Sequence, residues 1–310
     1  HKSDQEIMRF CQSFMTELYK HIGPHTDIPA GDIGVGQREI GYLFGQYKRL
    51  TTTFNGTVTG KAANYGGSLL RPEATGFGLI YFVQLMLQKN NLSLSDKRII
   101  ISGSGNVAIG AAEKAIELGA TVIAMSDSKG VIHHEAGINL KAIKQIKLKD
   151  RGDIKDYLKL VPEATYLENA CSIWNLECDI ALPCATQNEL NEEHAQKLLD
   201  NNCLLVAEGA NKPCSQKAVE LLNGSILFGP AKAANAGGVI VSSFEMSQNA
   251  SFDLWSKEVV DEKLKKAMKD IFEKVSQFAS DYDQPGNYLL GADLAGFKRL
   301  ADAMMAQGVV

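Results

Sequence analysis

The feature that most constrains the fold is an unbroken apolar run, Arg98-Ile-Ile-Ile-Ser102, which leads directly into a glycine-rich turn. Such a run is typical of a strand buried on both faces of a parallel sheet. The turn reads Gly103-x-Gly105-x-x-Ala108 and opens a helix of small residues. Gly103 suits a tight turn, Gly105 lets the backbone approach a pyrophosphate, and Ala108 lets helix and strand pack closely. The context therefore predicts a dinucleotide site in which the helix N-terminus binds phosphate.

Strand and helix signals alternate along the chain after this turn. Apolar runs predict four further strands, at 121–125, 179–182, 204–207 and 225–228, with helices between them. This alternation predicts an α/β fold with a doubly wound, Rossmann-like coenzyme domain. Apolar residues at helical spacing predict further helices at 3–22, 37–50, 73–89, 140–160, 252–281 and 292–306.

The end of the second strand, Ser126-Asp127-Ser128-Lys129, bears on the choice of nicotinamide coenzyme. Asp127 lies 24 residues past Gly103, close to the usual position of an acidic ribose ligand, which favours NAD. Ser126, Ser128 and Lys129 favour NADP, because hydroxyls and an ammonium suit an added 2′-phosphate. We predict NADP, with NAD as the less favoured alternative; in the other interpretation Lys129 is a solvated turn residue.

Composition excludes several classes of protein. The net charge of −4 argues against a dedicated nucleic-acid binder. No apolar run approaches the ~20 residues of a membrane span. The six cysteines form no CxxC pair and have no histidine at zinc-site spacing, so we expect reduced thiols and no metal site. Reduced thiols predict a cytoplasmic protein, and an organellar address stays open because a transit peptide would precede His1.

Two further glycine-rich segments carry candidate ligands. The first, at 29–36, has Asp32 as its only ionisable side chain. A carboxylate between glycines can be approached closely and can act as acid or base, and an Asx turn is an equal alternative. In the second, at 232–239, Ser242 follows Val239 by three residues, which on a helix places it one turn along the same face.

Seven segments in this order resemble the small, NADP-dependent type of the hexameric glutamate dehydrogenases: PAGDIGVG, GGSLLRPEATG, SGSGNVA, IALPCATQNEL, AEGAN, KAANAGGV and FEMSQNA. The resemblance covers essentially the whole chain. It implies reversible oxidative deamination of L-glutamate to 2-oxoglutarate and ammonia, and a homohexamer in the full-length form. Leucine- and phenylalanine-type dehydrogenases are the near alternative. They would need an apolar side-chain pocket, against which Ser242 argues.

The resemblance also implies roles for individual residues. Asp32 would transfer protons in the imine and ammonia steps, Gly31 would contact the substrate through its backbone, and Ser242 would bind the substrate's side-chain carboxylate. The resemblance also implies coenzyme contacts for Thr75 and Asn106. The residues themselves predict four more, at Gly103, Gly105, Ser126 and Lys129. Because Asp32 and the glycine-rich turn fall in different predicted domains, we expect the chemistry in the cleft between them.

The chain departs from this pattern in one respect. The family's catalytic lysine belongs to a GGGKGG segment, which these 310 residues lack. We therefore expect the chain to lack the family's N-terminal part, and a non-catalytic dinucleotide-binding fragment is the alternative function. The nearest lysine, Lys61, has no flanking glycine run and is predicted at the surface. The predicted domains are a remnant of the substrate-binding and oligomerisation domain, the NAD(P)-binding domain, and a C-terminal helix returning to the first domain, at 1–69, 70–284 and 285–310.

Overall fold

The computed structural model describes residues 2–308, which contain eleven α-helices and seven β-strands. The helices are α1 Asp4–Leu18, α2 Gln37–Thr51, α3 Ala74–Lys89, α4 Asn106–Glu117, α5 Leu140–Lys144, α6 Glu192–Asp200, α7 Gln216–Leu222, α8 Ala231–Ala234, α9 Gly237–Ser251, α10 Lys257–Asp281 and α11 Tyr288–Gln307. The strands are β1 Arg98–Ile101, β2 Thr121–Ser126, β3 Gly130–His133, β4 Thr165–Glu168, β5 Ile180–Leu182, β6 Leu205–Ala207 and β7 Leu227–Gly229.

The chain forms two compact units. The first unit holds the residues up to Pro72 together with Gly238–Leu264, and the second holds Glu73–Gly237 and the residues from Lys265 onward. Segment 238–264 belongs to the first unit, and the C-terminal helix belongs to the second unit. The three domains expected from the sequence stay a prediction.

All seven strands lie in the second unit and form one sheet in the order β4-β3-β2-β1-β5-β6-β7. Strands β2, β1, β5, β6 and β7 run parallel, whereas β3 and β4 are antiparallel to their neighbours. The order reverses between β1 and β5, and folds of this class bind ligands beyond the carboxyl ends of the strands at such a point. The predicted Rossmann-like α/β fold is confirmed, and all five predicted strands form.

The sequence patterns missed the hairpin of β3 and β4. Each strand has four residues, and β4 has no buried residue, so neither gives a strong apolar run. The predicted helix at 140–160 is also wrong. Instead, α5 runs into a π-helical turn at Gln145–Lys149, and a 3₁₀ helix follows at Ile154–Lys159. The chain breaks at Arg151, whose φ of +53° lies in the left-handed region that a continuous helix does not use.

The C-terminal helix packs on the second unit through aromatic side chains. Tyr288 at the start of α11 lies 5.4 Å from Phe272 of α10 and 6.3 Å from Phe82 of α3, measured between ring centroids. All three rings are buried. Offset and edge-to-face aromatic pairs contribute beyond the apolar area that they bury. This aromatic group is the physical reason why α11 belongs to the second unit.

The first unit has its own small core. Its helix α1 begins with the predicted capping box, in which the Ser3 hydroxyl accepts from the Glu6 N–H and the Glu6 carboxylate accepts from the Ser3 N–H. The buried side chains of α1 and α2 meet in a cluster with the loop residue Val58. The cluster contains Met15, Ile40, Phe44, Tyr47 and Val58.

The six cysteines are all free thiols, and only Cys171 is exposed. Within residues 2–308, no three His, Cys, Asp or Glu side chains are grouped so that they could hold a metal ion. None of the helices in this part of the chain is long and apolar enough to cross a membrane.

We expect Gly76→Ala to destabilise the second unit. A methyl group at Gly76 would lie 2.2 Å from the Ala111 nitrogen, so α3 and α4 would have to separate. Overpacking of this kind costs about 1–3 kcal/mol of unfolding free energy, which urea denaturation measures. Gly296→Ala in α11 is the matched control, because an added Cβ there meets no described atom within 4 Å. A Gly76→Ala variant as stable as the control would contradict the prediction.

Candidate functional site

The glycine-rich turn after β1 has the geometry of a phosphate site. Gly103 has a φ of +87°, in the region that favours glycine. Gly105 precedes α4, and no side chain of the described residues caps that helix. An added Cβ at Gly105 would meet no atom of residues 2–308 within 4 Å, so a ligand can approach the backbone. Asn106 is the exposed first residue of α4. The free N–H groups and the positive end of the helix dipole are therefore directed at an open position.

Thr75 lies in the first turn of α3, beside this phosphate site. The next residue, Gly76, is so close to α4 that a Cβ on it would lie 2.5 Å from the Val107 carbonyl oxygen. Thr75 is half-buried, and its helix begins next to the first turn of α4. The predicted coenzyme residues Thr75, Gly103, Gly105 and Asn106 are therefore brought together in the second unit.

The end of β2 meets the same turn. The Gly103 N–H donates to the Ser126 hydroxyl at 2.9 Å, and Ser126 is buried. The Ser126 oxygen therefore supports the turn from within the fold, whereas the predicted phosphate role would need it to face a ligand. Lys129 is exposed, and its Nζ lies 2.6 Å from the Asp153 carboxylate. Of the three side chains predicted at the 2′-phosphate, Ser128 and Lys129 are exposed and Ser126 is buried.

The Asp127 carboxylate is occupied by protein donors. It accepts from the N–H groups of Ile154 at 2.8 Å and Lys129 at 2.9 Å, and Lys147 Nζ lies 3.3 Å away. Burial alone would raise the pKa of Asp127, but these hydrogen bonds and the Lys147 charge outweigh it and hold the pKa below its ordinary value. Asp127 therefore holds the loop at 153–154 against the strand end.

The loops after β6 and β7 are joined by a buried carboxylate. Glu208 accepts from the N–H groups of Ala231 at 2.8 Å and Cys214 at 3.3 Å. Burial raises the pKa of Glu208 although these hydrogen bonds oppose the shift. Nearby, Asn235 Nδ2 donates to Asn211 Oδ1 at 2.8 Å. The AEGAN and KAANAGGV segments are therefore held together.

The candidate catalytic carboxylate lies in the first unit. Asp32 is exposed at the tip of a tight turn, in which its N–H donates to the Val35 carbonyl and its carbonyl accepts from the Val35 N–H. A Cβ at Gly31 would lie 2.7 Å from that same Val35 oxygen, so only glycine fits. The loop is also paired with the segment at 57–61, because the Thr59 N–H donates to the Pro29 carbonyl at 3.0 Å.

Segment 57–61 leads to Ser242, the candidate substrate ligand. Ser242 on α9 is buried, and its hydroxyl oxygen accepts from Arg71 Nε at 2.9 Å and from the Thr59 hydroxyl at 3.3 Å. A hydroxyl has two acceptor sites and one donor. Because both acceptor sites are used, the Ser242 hydrogen remains available to donate to a ligand.

One helical turn further along α9, Glu245 forms an ion pair that the sequence reasoning missed. Lys61 is fully buried, contrary to the predicted surface position, and its Nζ lies 2.7 Å from the Glu245 carboxylate. The same carboxylate accepts from the N–H groups of Gly60 at 3.1 Å and Lys61 at 3.3 Å. The Lys61 ammonium also donates to the Val58 carbonyl and lies over the Phe44 ring. Glu245 therefore fixes segment 57–61 against α9.

The buried charges of this group do not cancel. Lys61 and Arg71 are cations, and Glu245 is the anion that acts on both. Burial lowers the pKa of Lys61 and of Arg71, and the Glu245 charge opposes both shifts. With all three groups ionised, one positive charge is left over beside the Ser242 hydroxyl. An anionic group is therefore the favoured ligand beside the Ser242 hydroxyl.

Comparison with known proteins assigns the family. The family model described as glutamate/leucine/phenylalanine/valine dehydrogenase matches residues 66–308, and the model of its dimerisation domain matches residues 1–49. The chain belongs to this dehydrogenase family.

Relatives within the family differ in coenzyme. The chain is 54% identical to an NADP-specific glutamate dehydrogenase of Helicobacter pylori J99, over 99% of this chain and 70% of that one. It is 49% identical to an NAD-specific glutamate dehydrogenase of Bacteroides fragilis YCH46, over 100% and 70%. The crystal structure of Plasmodium falciparum glutamate dehydrogenase matches with a TM-score of 0.96 and 46% identity, over 100% of this chain and 67% of that one.

We expect Lys61→Met to lower the free energy of unfolding by about 3–5 kcal/mol, because it leaves the Glu245 charge buried without its cation. The double variant Lys61→Met/Glu245→Gln should recover only part of that loss, because it removes the unpaired carboxylate but leaves Arg71 without the anion that acts on it. Urea denaturation measures both. As a control, Lys20→Met removes an exposed cation paired with Glu17 at 2.9 Å and should cost less than about 1 kcal/mol. A double variant no more stable than the single one would contradict the prediction.

Proposed function

We propose that the chain catalyses the reversible oxidative deamination of L-glutamate to 2-oxoglutarate and ammonia with NADP(H). The observation that carries this proposal is the position of the Ser242 hydroxyl. Its oxygen accepts from two donors, so its hydrogen is available to a ligand, and the charged groups beside it leave one positive charge in excess. High identity to glutamate dehydrogenases over nearly the whole chain supports the enzyme over a non-catalytic dinucleotide-binding fragment.

Ser242 and its neighbours favour glutamate among the substrates of this family. A side-chain carboxylate would accept from the Ser242 hydroxyl and would be attracted by the excess charge of Arg71 and Lys61 against Glu245. A leucine, phenylalanine or valine side chain would leave that hydroxyl and that charge without a partner, which is costly in a buried site.

Proton transfer is assigned to Asp32. Its carboxylate is exposed at the tip of a turn, so a ligand can approach it. In the proposed reaction, Asp32 gives a proton to or takes one from the nitrogen in the imine and ammonia steps. Gly31 is assigned a backbone contact with the substrate. The fold requires glycine there, since an added Cβ would lie 2.7 Å from the Val35 carbonyl oxygen.

A nicotinamide dinucleotide fits the second unit. Gly103, Gly105 and the free N-terminus of α4 would hold its pyrophosphate, with Thr75 and Asn106 beside it. When bound, this coenzyme supplies or accepts the hydride at glutamate Cα. NADP is supported by the exposed Lys129 and by the NADP-specific relatives, and NAD is the less favoured alternative.

Oligomerisation is supported by the match of residues 1–49 to a dimerisation domain. Helix α1 in that range exposes Phe10 and Phe14, whose rings stack with centroids 6.2 Å apart. Exposed aromatic pairs of this kind are typical of subunit contacts. We infer a homohexamer for the full-length form, in which the first unit serves substrate binding and assembly and the second unit binds coenzyme. The free cysteines support a cytoplasmic location.

The first test is the initial rate of NADPH oxidation with ammonium and a panel of 2-oxo acids. We expect turnover with 2-oxoglutarate and at least about 100-fold lower kcat/KM with the 2-oxo acids of leucine, phenylalanine and valine, since each leaves a buried polar group unpaired. Preference for an apolar 2-oxo acid would contradict the substrate assignment. NADPH binding without any oxidation would support the non-catalytic alternative.

We expect Ser242→Ala to raise KM for 2-oxoglutarate about tenfold or more, because it removes a hydrogen bond to a charged group worth about 1.5–3 kcal/mol. KM for NADPH should stay within twofold of its original value. Ser243→Ala is the matched control, since this exposed neighbour donates only to the Ile240 carbonyl of its own helix. Steady-state kinetics on both variants measure the effect. An equal change in the two variants would contradict a substrate role for Ser242.

A further inference from the structure

The end of β2 and the loop that faces it together carry two carboxylates and two ammonium groups. The strand end lies at the glycine-rich turn, because the Gly103 N–H donates to Ser126. In folds of this class, side chains at that position contact the ribose of the adenosine half, where NADP carries its extra phosphate. The charged groups at this place are Asp127, Lys129, Lys147 and Asp153. Two cations face two anions, so this group of four has no net charge.

The Asp127–Lys147 pair is held by the backbone. Asp127 is also hydrogen-bonded to the N–H groups of Lys129 and Ile154, and its side chain is only 10% exposed. These contacts give Asp127 a structural task that does not depend on a ligand. Its carboxylate is therefore a fixed feature of the site, and Lys147 compensates its charge.

The Lys129–Asp153 pair is different because both side chains are more than half exposed. Their contact is 2.6 Å long, and the Asp153 hydrogen bond and charge raise the pKa of Lys129 more than the Asp127 charge does. Exposed pairs of this kind contribute little to stability and exchange readily with solvent ions or ligands. Asp153 therefore competes with any anion that would bind Lys129.

We propose that Asp153 sets the coenzyme preference of this chain by occupying Lys129 and thereby weakening the binding of a 2′-phosphate. A phosphate monoester carries a charge of about −1.5 to −2 at pH 7, so it must displace Asp153 and also experiences its repulsion. A coenzyme without that phosphate meets neither cost. Asp153 is thus a specificity-determining residue, and the wild-type chain should use NADH as well as NADPH. This inference rests on the proposed binding of a dinucleotide at the turn after β1.

The test is the variant Asp153→Asn, which removes the charge and keeps the shape. We expect the ratio of kcat/KM for NADPH to kcat/KM for NADH to rise on the order of fivefold, mainly through a lower KM for NADPH. Asp156→Asn is the matched control. Asp156 lies three residues further along the same segment, in an exposed pair with Lys159 at 2.7 Å. The Lys129 charge acts on it less than Lys159 does, so its substitution should change the ratio less than twofold. An unchanged ratio in Asp153→Asn would overturn the proposal.

The variant Lys129→Met tests whether Asp153 acts by competing for Lys129 or only through its negative charge. In the Lys129→Met background, Asp153→Asn should raise the coenzyme ratio less than it does in the original chain, because only the repulsion by Asp153 is removed and the cation for which the two anions compete is gone. An equal rise in both backgrounds would overturn the role of Lys129.

Binding of adenosine 2′,5′-bisphosphate and of 5′-AMP, measured by calorimetry on the same variants, needs no catalytic turnover. We expect Asp153→Asn to tighten only the bisphosphate. If that holds while 2-oxoglutarate supports no oxidation, the proposed reaction fails and the role of Asp153 stands. If the bisphosphate binds all variants equally while turnover is normal, the reaction stands and the role of Asp153 fails.

Discussion

The first unit depends on a buried ion pair. Segment 57–61 has no secondary structure of its own, and Glu245 holds it by accepting from two of its N–H groups and from the Lys61 ammonium. Thr59 in that segment supports both the Asp32 loop and the Ser242 hydroxyl. Because a buried charge without its partner is expensive, the pair stabilises the arrangement in which Lys61 meets Glu245. The candidate proton-transfer residue and the candidate substrate ligand are thereby fixed by the same contact.

The parts of the fold that were predictable are those whose burial leaves a local pattern. β1 is buried apart from Arg98. Its apolar run, followed by Gly103 and Gly105, predicts a strand, a turn and a phosphate-binding helix. β4 is the opposite case, since it has no buried residue and its sequence therefore lacks an apolar period. Helix α11 was identified, but its partners were not. Its place depends on the distant rings of Phe82 and Phe272, which no local pattern reveals.

The same distinction holds at the candidate site. Ser242 was found because it follows a glycine-rich segment at helical spacing, and the structure places it beside Arg71 and Thr59. Lys61 was predicted at the surface because it has no flanking glycine run. A lysine is seldom buried without a partner, and the partner of Lys61 lies 184 residues away. At the end of β2, the sequence suggested a phosphate site from Lys129 but gave no sign that Asp153 lies opposite it. Pairings between distant charges arise only when the chain has folded.

The way in which Ser242 is held bears on a neutral relative of the proposed substrate. The serine offers one hydrogen, and the side-chain amide of glutamine has an oxygen that can accept it just as a carboxylate does. The hydroxyl alone therefore distinguishes glutamate poorly from glutamine. Glutamate and glutamine are instead distinguished by charge. Arg71 and Lys61 together exceed Glu245 by one positive charge, which attracts a carboxylate but hardly an amide. Since these charges are buried, dissolved salt screens them weakly, and rejection of the amide should persist at high ionic strength.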